Sequence, residues 1–277
     1  MSKDAYQANL LGDIKSILLC TDCSEYSKYA VSEAVNLAGV CGTNLNILYV
    51  KENPSFLEDY TANEQRHMDE ILEMAAANNV ECSALIRYGL EPHEAIAEES
   101  RRLKTDIIVM GKHGGKGLSR LLMGSVTAKV IAYADCKVAV VPRDSEMKGE
   151  TILLATDGSA CSKAAEMEAI MMAKRCNKVK KLVSITVYPH EDKRYEYEEI
   201  VSSLESAAAE NGVAVESLLL CHNDPYKAIV NVSLESGADL IIIGSHGRTG
   251  LSRLLMGSVS ERVVALSFCP VLVVKGT

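Results

Sequence analysis

Short apolar runs alternate with longer amphipathic stretches along the whole of this 277-residue chain. The run over 14–20 (IKSILLC) reads as a strand of aliphatic and β-branched residues. Ala30, Val31, Ala34, Val35 and Ala38 then share one helical face, a pattern that predicts a helix ending near Gly39, with Ser24 or Asp22 as its cap. A second strand is expected over 45–50, and Met68, Ile71, Leu72 and Ala75 mark a second helix after an Asn53-Pro54-Ser55 loop. A strand over 81–87, a helix opened by Pro92, a strand over 106–110, a helix through Val130 and a strand over 137–141 complete the series. After a polar link beginning at Pro142 the order starts again. Strands are expected over 151–155, 182–187, 213–220, 239–243 and 271–274, with helices between them, the third opened by Pro225. Short strands alternating with helices imply parallel sheets covered on both faces. The expected architecture is α/β: two tandem, doubly wound, five-stranded domains, 1–145 and 146–277.

The periodicity hides a closer repeat. The stretch GKHGGKGLSRLLMGSV, beginning at Gly111, returns as GSHGRTGLSRLLMGSV at Gly244, with thirteen of sixteen positions identical. Gly111, Gly114, Gly124 and Ser125 in the first copy correspond to Gly244, Gly247, Gly257 and Ser258 in the second. Each copy follows an expected strand and leads into an expected helix. Glycines allow positive φ and close approach of the backbone to a ligand, and a helix start presents free N–H groups to an anion. Both copies therefore read as phosphate-binding loops. A ligand-free tight turn would use the same residues, but it would not explain why the likeness of the halves concentrates there. The spacing is neither G-x-x-x-x-G-K-[ST] nor G-x-G-x-x-G, so neither a P-loop nor a dinucleotide fingerprint is indicated. Asp22 and Asp157 lie just past the first strand of their halves. If strands one and four are neighbours, each aspartate faces a glycine loop across the switch point and could accept hydrogen bonds from a ribose or an adenine amino group. A helix cap is the plainer role, and the two are compatible.

Composition narrows the partners. A net charge of −8 and the lack of Trp argue against a nucleic-acid or anionic-membrane surface. No apolar run reaches the ~18 residues of a membrane span, the first residues lack a signal-peptide core, and nine scattered cysteines suit reduced thiols; the expected location is cytoplasmic. Cys20 and Cys23 form a C-x-x-C without a counterpart in the second half. The first should end a buried strand, against a redox pair, and no second pair completes a zinc site. His113 and His246, inside the loops, could bond phosphate or shape the turn. Lys112, Lys116, Arg120, Arg248 and Arg253 bring positive charge nearby.

The Thr-Asp-x-Ser start of each half, the Gly-x-x-Gly, nine-residue, Gly-Ser loop and the G-x-x-P-x-x-x-I stretch from Gly89 to Ile96 together resemble the universal stress protein family. The resemblance spans nearly the whole chain as two tandem domains. It implies a Rossmann-like sheet in the order 3-2-1-4-5 with ATP at the switch point, with Mg2+ as an optional companion. By similarity, Asp22 and Val50, or Asp157 and Val187, would contact adenosine. Gly111, Gly114, Gly124, Ser125 and Val126 would line the phosphates in the first half, and Gly244, Gly247, Gly257, Ser258 and Val259 in the second. The family also implies pairing of the two halves through their last strands as a pseudo-twofold unit, with a homodimer as a further option and the protein partner unknown. There are departures. Cys20 and Ala155 stand where a proline is common, the second half has His222-Asn223-Asp224-Pro225 where the first keeps a glycine at Gly89, and Gly115-Lys116 corresponds to Arg248-Thr249, so the two sites are expected to differ. The resemblance implies a nucleotide-dependent regulatory binding protein in stress response. A slow ATPase or self-phosphorylating protein is the alternative, disfavoured because no catalytic base stands out beside the loops. A ligand-free interaction module is the third reading. No catalytic or metal-ligating residue is assigned.

Overall fold

The structure is a computed structural model and describes residues 14–51, 61–113, 123–248 and 256–276. These fall into two compact units, 14–145 and 146–276. In the first unit the elements run β1 (Ile17–Thr21), α1 (Lys28–Cys41), β2 (Leu45–Lys51), α2 (Ala62–Ala77), β3 (Cys82–Tyr88), α3 (Pro92–Arg102), β4 (Ile107–Gly111), α4 (Ser125–Tyr133) and β5 (Lys137–Val141). The second unit runs β6 (Thr151–Ala155), α5 (Ala160–Arg175), β7 (Lys181–Tyr188), α6 (Arg194–Glu210), β8 (Glu216–Cys221), α7 (Pro225–Glu235), β9 (Leu240–Gly244), α8 (Ser258–Leu266) and β10 (Val271–Val274).

All pairings within each unit are parallel. In the first, β2 pairs with β1 and β3, and β4 with β1 and β5, which is the expected order 3-2-1-4-5. The second repeats it, with β6 central between β7 and β9. Continuous apolar runs, rather than alternating ones, follow from burial on both faces. Every residue of β1 and β4 is buried, and Ile17, Leu18 and Leu19 have no exposed surface. The strands β3 and β8, at the far side of each order, are half-exposed, and their pattern is correspondingly weaker.

Several expected boundaries move. The first helix runs through Gly39 to Cys41, because Gly42, at φ +63, is the glycine that takes the left-handed conformation and stops it. Neither Asp22 nor Ser24 caps it; Ser27 occupies the N-cap position. The strands expected to open on Asp106 and Asp239 instead begin one residue later and include the loop's first glycine. Those aspartates have another task. Asp106 Oδ2 accepts hydrogen bonds from the Lys15 and Ser16 amides at 2.8 and 3.0 Å. Asp239 accepts from the amides of Gly149, Glu150 and Thr151 at 2.8 to 3.0 Å. Each carboxylate thereby ties the entry of its unit's first strand to the entry of the fourth. Pro92 and Pro225 open their helices as expected.

Candidate functional site

In the second unit, β6 ends at Ala155 and the chain turns through Thr156, Asp157, Gly158 and Ser159 into α5. The turn is built from side chains bonding to nearby backbone. Asp157 Oδ1 accepts from the Ser159 amide at 3.0 Å, and the Ser159 side chain caps α5 by accepting from the Ser162 amide at 3.2 Å. Thr156 Oγ1 donates to Glu166 Oε1 at 2.5 Å, holding the turn against α5. Gly158 adopts φ +76, and a β-carbon there would also come within 3.0 Å of Ile200.

The glycine loop begins at the adjacent strand β9. At Gly244 an added β-carbon would lie 2.7 Å from the Cys161 carbonyl carbon and 2.8 Å from the Ser162 nitrogen, so only glycine lets α5 approach this closely. At Gly247 it would lie 2.6 Å from Asp157 Oδ2. That same carboxylate oxygen accepts a hydrogen bond from the Arg248 amide at 3.0 Å. The aspartate and the loop, 90 residues apart in sequence, thus meet directly across the crevice between β6 and β9. The returning chain reaches α8 through Gly257, whose amide bonds to Ser245 O at 2.9 Å, and Ser260 Oγ donates to Gly244 O at 2.7 Å. A glycine at the N-cap supplies no side-chain acceptor, so the first amides of α8 face the crevice without a cap.

These elements surround a cavity of about 450 Å³, within the range of small-molecule sites. Asp157, Val187, Gly244, Gly247, Gly257, Ser258 and Val259 all line it, so the seven second-half residues expected at a nucleotide come to one place. Ile185, Pro225, Ile229 and Ile243 add apolar wall, and Tyr197 from the first turn of α6 stands at the side. Tyr197 carries no sequence signal; it is known as a lining residue only from the way α6 docks. His246 lines the cavity too, with Nδ1 3.1 Å from Ser245 Oγ and its carbonyl accepting from Ser159 Oγ, which ties the loop to the α5 cap.

The first unit places the corresponding residues on corresponding elements. Asp22 follows β1, Val50 lies near the end of β2, Gly111 closes β4, and Gly124, Ser125 and Val126 form the N-terminus of α4. Gly114 lies outside the described residues, as do Lys116, Arg120 and Arg253. Thr127 Oγ1 bonds to Gly111 O at 3.1 Å, as Ser260 does to Gly244 O. The surroundings differ. Asp22 Oδ1 accepts from the amide and hydroxyl of Ser24, at 3.1 and 2.6 Å. Thr21 Oγ1 lies 2.9 Å from Ser27 Oγ and 3.2 Å from Nε2 of the buried His67. Glu64, in a capping box with Thr61, accepts from the Tyr49 hydroxyl at 2.5 Å and sits 3.6 Å from the Lys51 ammonium. Lys112 is buried, which pushes its ammonium down to about 8. Burial raises the Cys20 thiol and pushes Cys23 up to about 12, so neither member of the C-x-x-C favours a thiolate. Among the described residues no group of three or more His, Cys, Asp or Glu side chains could hold a metal, and no helix is long and apolar enough to cross a membrane.

The model of the universal stress protein family matches residues 13–142 and again 149–275. A universal stress protein of Methanocaldococcus jannaschii is 35% identical over 147 residues, covering 48% of this chain and 86% of that protein. One from Mycobacterium bovis is 28% identical over 191 residues, 62% of each chain. Among solved structures, a universal stress protein from Archaeoglobus fulgidus matches with a TM-score of 0.74 at 23% identity, over 94% of this chain and 96% of that one, a likeness of fold. Two matches of the family model, one per unit, account for nearly the whole chain, which belongs to the universal stress protein family.

Proposed function

We propose that this chain is an ATP-binding member of its family, a nucleotide-dependent regulatory binding protein in stress response, and argue it from the site in the second unit. The observation that carries this is the convergence of Asp157, the glycine turn and the uncapped start of α8 on one cavity of about 450 Å³. The residues present fit the ligand. Asp157 would accept from a ribose hydroxyl or an adenine amino group, and Val187 with its apolar neighbours would flank the base. Gly244, Gly247, Gly257, Ser258 and Val259 would hold the phosphates through backbone amides, where no β-carbon obstructs close approach. Bound phosphates would bring Mg2+ as their counter-ion. In the first unit Asp22, Val50, Gly111, Gly114, Gly124, Ser125 and Val126 would take the same parts.

Acid extraction of the purified protein, followed by quantification of released nucleotide, tests this reading. Between one and two equivalents of ATP per chain are expected, since the chain carries two loops. Asp157→Ala should lower that number, because it removes the carboxylate that lines the cavity. A chain that releases no nucleotide and binds none when ATP is added back would overturn the proposal.

A further inference from the structure

We propose that Arg248 makes the second cavity selective for phosphorylated over unphosphorylated nucleosides, and that Glu196 holds its side chain in reserve until a phosphate arrives. This rests on the nucleotide-binding reading of the same cavity. Arg248 is the one Arg or Lys among the described residues that line the cavity, whose other formal charge is the Asp157 carboxylate. In a chain of net charge −8, a polyphosphate entering there needs a cation. The Arg248 backbone is already fixed, since its amide bonds to Asp157 Oδ2 at 3.0 Å. Its guanidinium is placed by the first turn of α6: Nη2 pairs with Glu196 Oε1, and Cζ lies 5.3 Å from the centre of the Tyr197 ring.

The Arg248–Glu196 pair is partly exposed, at 42% and 43% for the two side chains. An ion pair so open to water contributes little and can be exchanged. A phosphate offers the guanidinium a bidentate partner of higher charge than a carboxylate, and the Tyr197 ring can keep contact with the guanidinium through the exchange. Glu196 therefore neutralises the arginine in the absence of ligand and competes with the ligand for it. Among the described residues the first half shows no such pair. Counting back from the matching helix ends at Asn78 and Asn211, Asn63 and Glu64 stand where Glu196 and Tyr197 do, and Glu64 is engaged by Tyr49, Thr61 and Lys51. In sequence the position of Arg248 is Gly115.

Calorimetric titration of the full chain with ATP, ADP and adenosine tests the proposal, the second-site component being the one that Asp157→Ala removes. Arg248→Ala should weaken ATP and ADP roughly tenfold or more at that site while leaving adenosine within about twofold. Glu196→Gln, which keeps the shape and removes the competitor, should tighten ATP by about two- to fivefold and leave adenosine unchanged. Arg248→Lys should fall between wild type and Arg248→Ala, since it keeps charge without the fork. If Arg248→Ala weakens ATP and adenosine equally, or Glu196→Gln leaves ATP unchanged or weaker, the role assigned here is wrong while the nucleotide site stands. A wild-type chain that binds none of the three ligands overturns both.

Discussion

At the end of β1 the chain turns through Thr21, Asp22, Cys23 and Ser24; at the end of β6 it turns through Thr156, Asp157, Gly158 and Ser159. The backbone course is the same, with left-handed φ of +57 at Cys23 and +76 at Gly158. In both, the aspartate accepts from the amide two residues on, and the threonine hydroxyl is buried. That hydroxyl lies against the matching serine in both, Ser27 and Ser162, and its further partner differs: His67, from α2, in the first unit and Glu166, from α5, in the second. The helix position that places His67 over the first turn places Ile200 over the second, against Gly158. The two units thus hold one turn with the same aspartate and serine and with a different further partner for the threonine. The requirement lies in the backbone geometry and the aspartate, and the supporting packing is free to vary.

The largest difference between the two units is expected at the glycine closing the fourth strand. An alanine at Gly244 would bring its β-carbon to 2.7 Å from backbone, whereas at Gly111 the nearest atoms are carbonyl oxygens at 3.4 Å. Gly244→Ala should therefore destabilise the second unit by about 3 kcal/mol, and Gly111→Ala should cost the first unit under about 1 kcal/mol. Urea unfolding with hydrogen exchange resolved to β9 and β4 would show it; equal effects would mean that α1 and α5 approach their sheets alike.

The turn itself comes next. Gly158→Ala should cost about 1–2 kcal/mol through its positive φ and its contact with Ile200, while Cys23→Gly should raise stability by several tenths of a kcal/mol or more. If Cys23→Gly is destabilising, the thiol must contribute packing that outweighs its backbone strain.

The smallest effect concerns pH. Burial holds the His67 imidazole below its ordinary value. Above the unfolded value of 6.5 both states are neutral. As pH falls through that value towards the folded one, the unfolded chain takes up its proton first, and stability is lost. Between about pH 7.5 and 5.5 the wild type should lose more melting temperature than His67→Gln. Parallel losses would remove His67 from the explanation. The second unit, with Ile200 at this position, should be unaffected by the substitution.

Much of this was legible in the sequence for identifiable reasons. Strands buried on both faces show as unbroken aliphatic runs, so β1, β4, β6 and β9 stood out. Starts were placed less well at β1 and β8, where the expected starts at 14 and 213 each preceded the strand by three residues. The aspartates and glycines of the second site were visible because their spacing repeats. Which glycine ends α1 was not, since Gly39 and Gly42 look alike until one of them takes positive φ. Nor were Tyr197 and Glu196 visible. Their link to Arg248 spans 52 residues and arises only when a helix docks beside a loop. His67, Glu64 and Tyr49 were hidden in the same way, as polar residues in patterns that otherwise specify only a helix or a strand.

Asp239 has a consequence for taking the chain apart. Its carboxylate gathers the amides of Gly149, Glu150 and Thr151, so the second unit brings its own clasp, and the clasp begins seven residues after Pro142. A fragment starting at Gly149 keeps all three bonds. One starting at Ile152, where the apolar run begins, would keep the sheet's hydrophobic sequence and leave Asp239 with none of those three donors. The natural seam for excising this half is therefore marked by where an aspartate just before a distant strand reaches, three residues upstream of where hydrophobicity would place the cut.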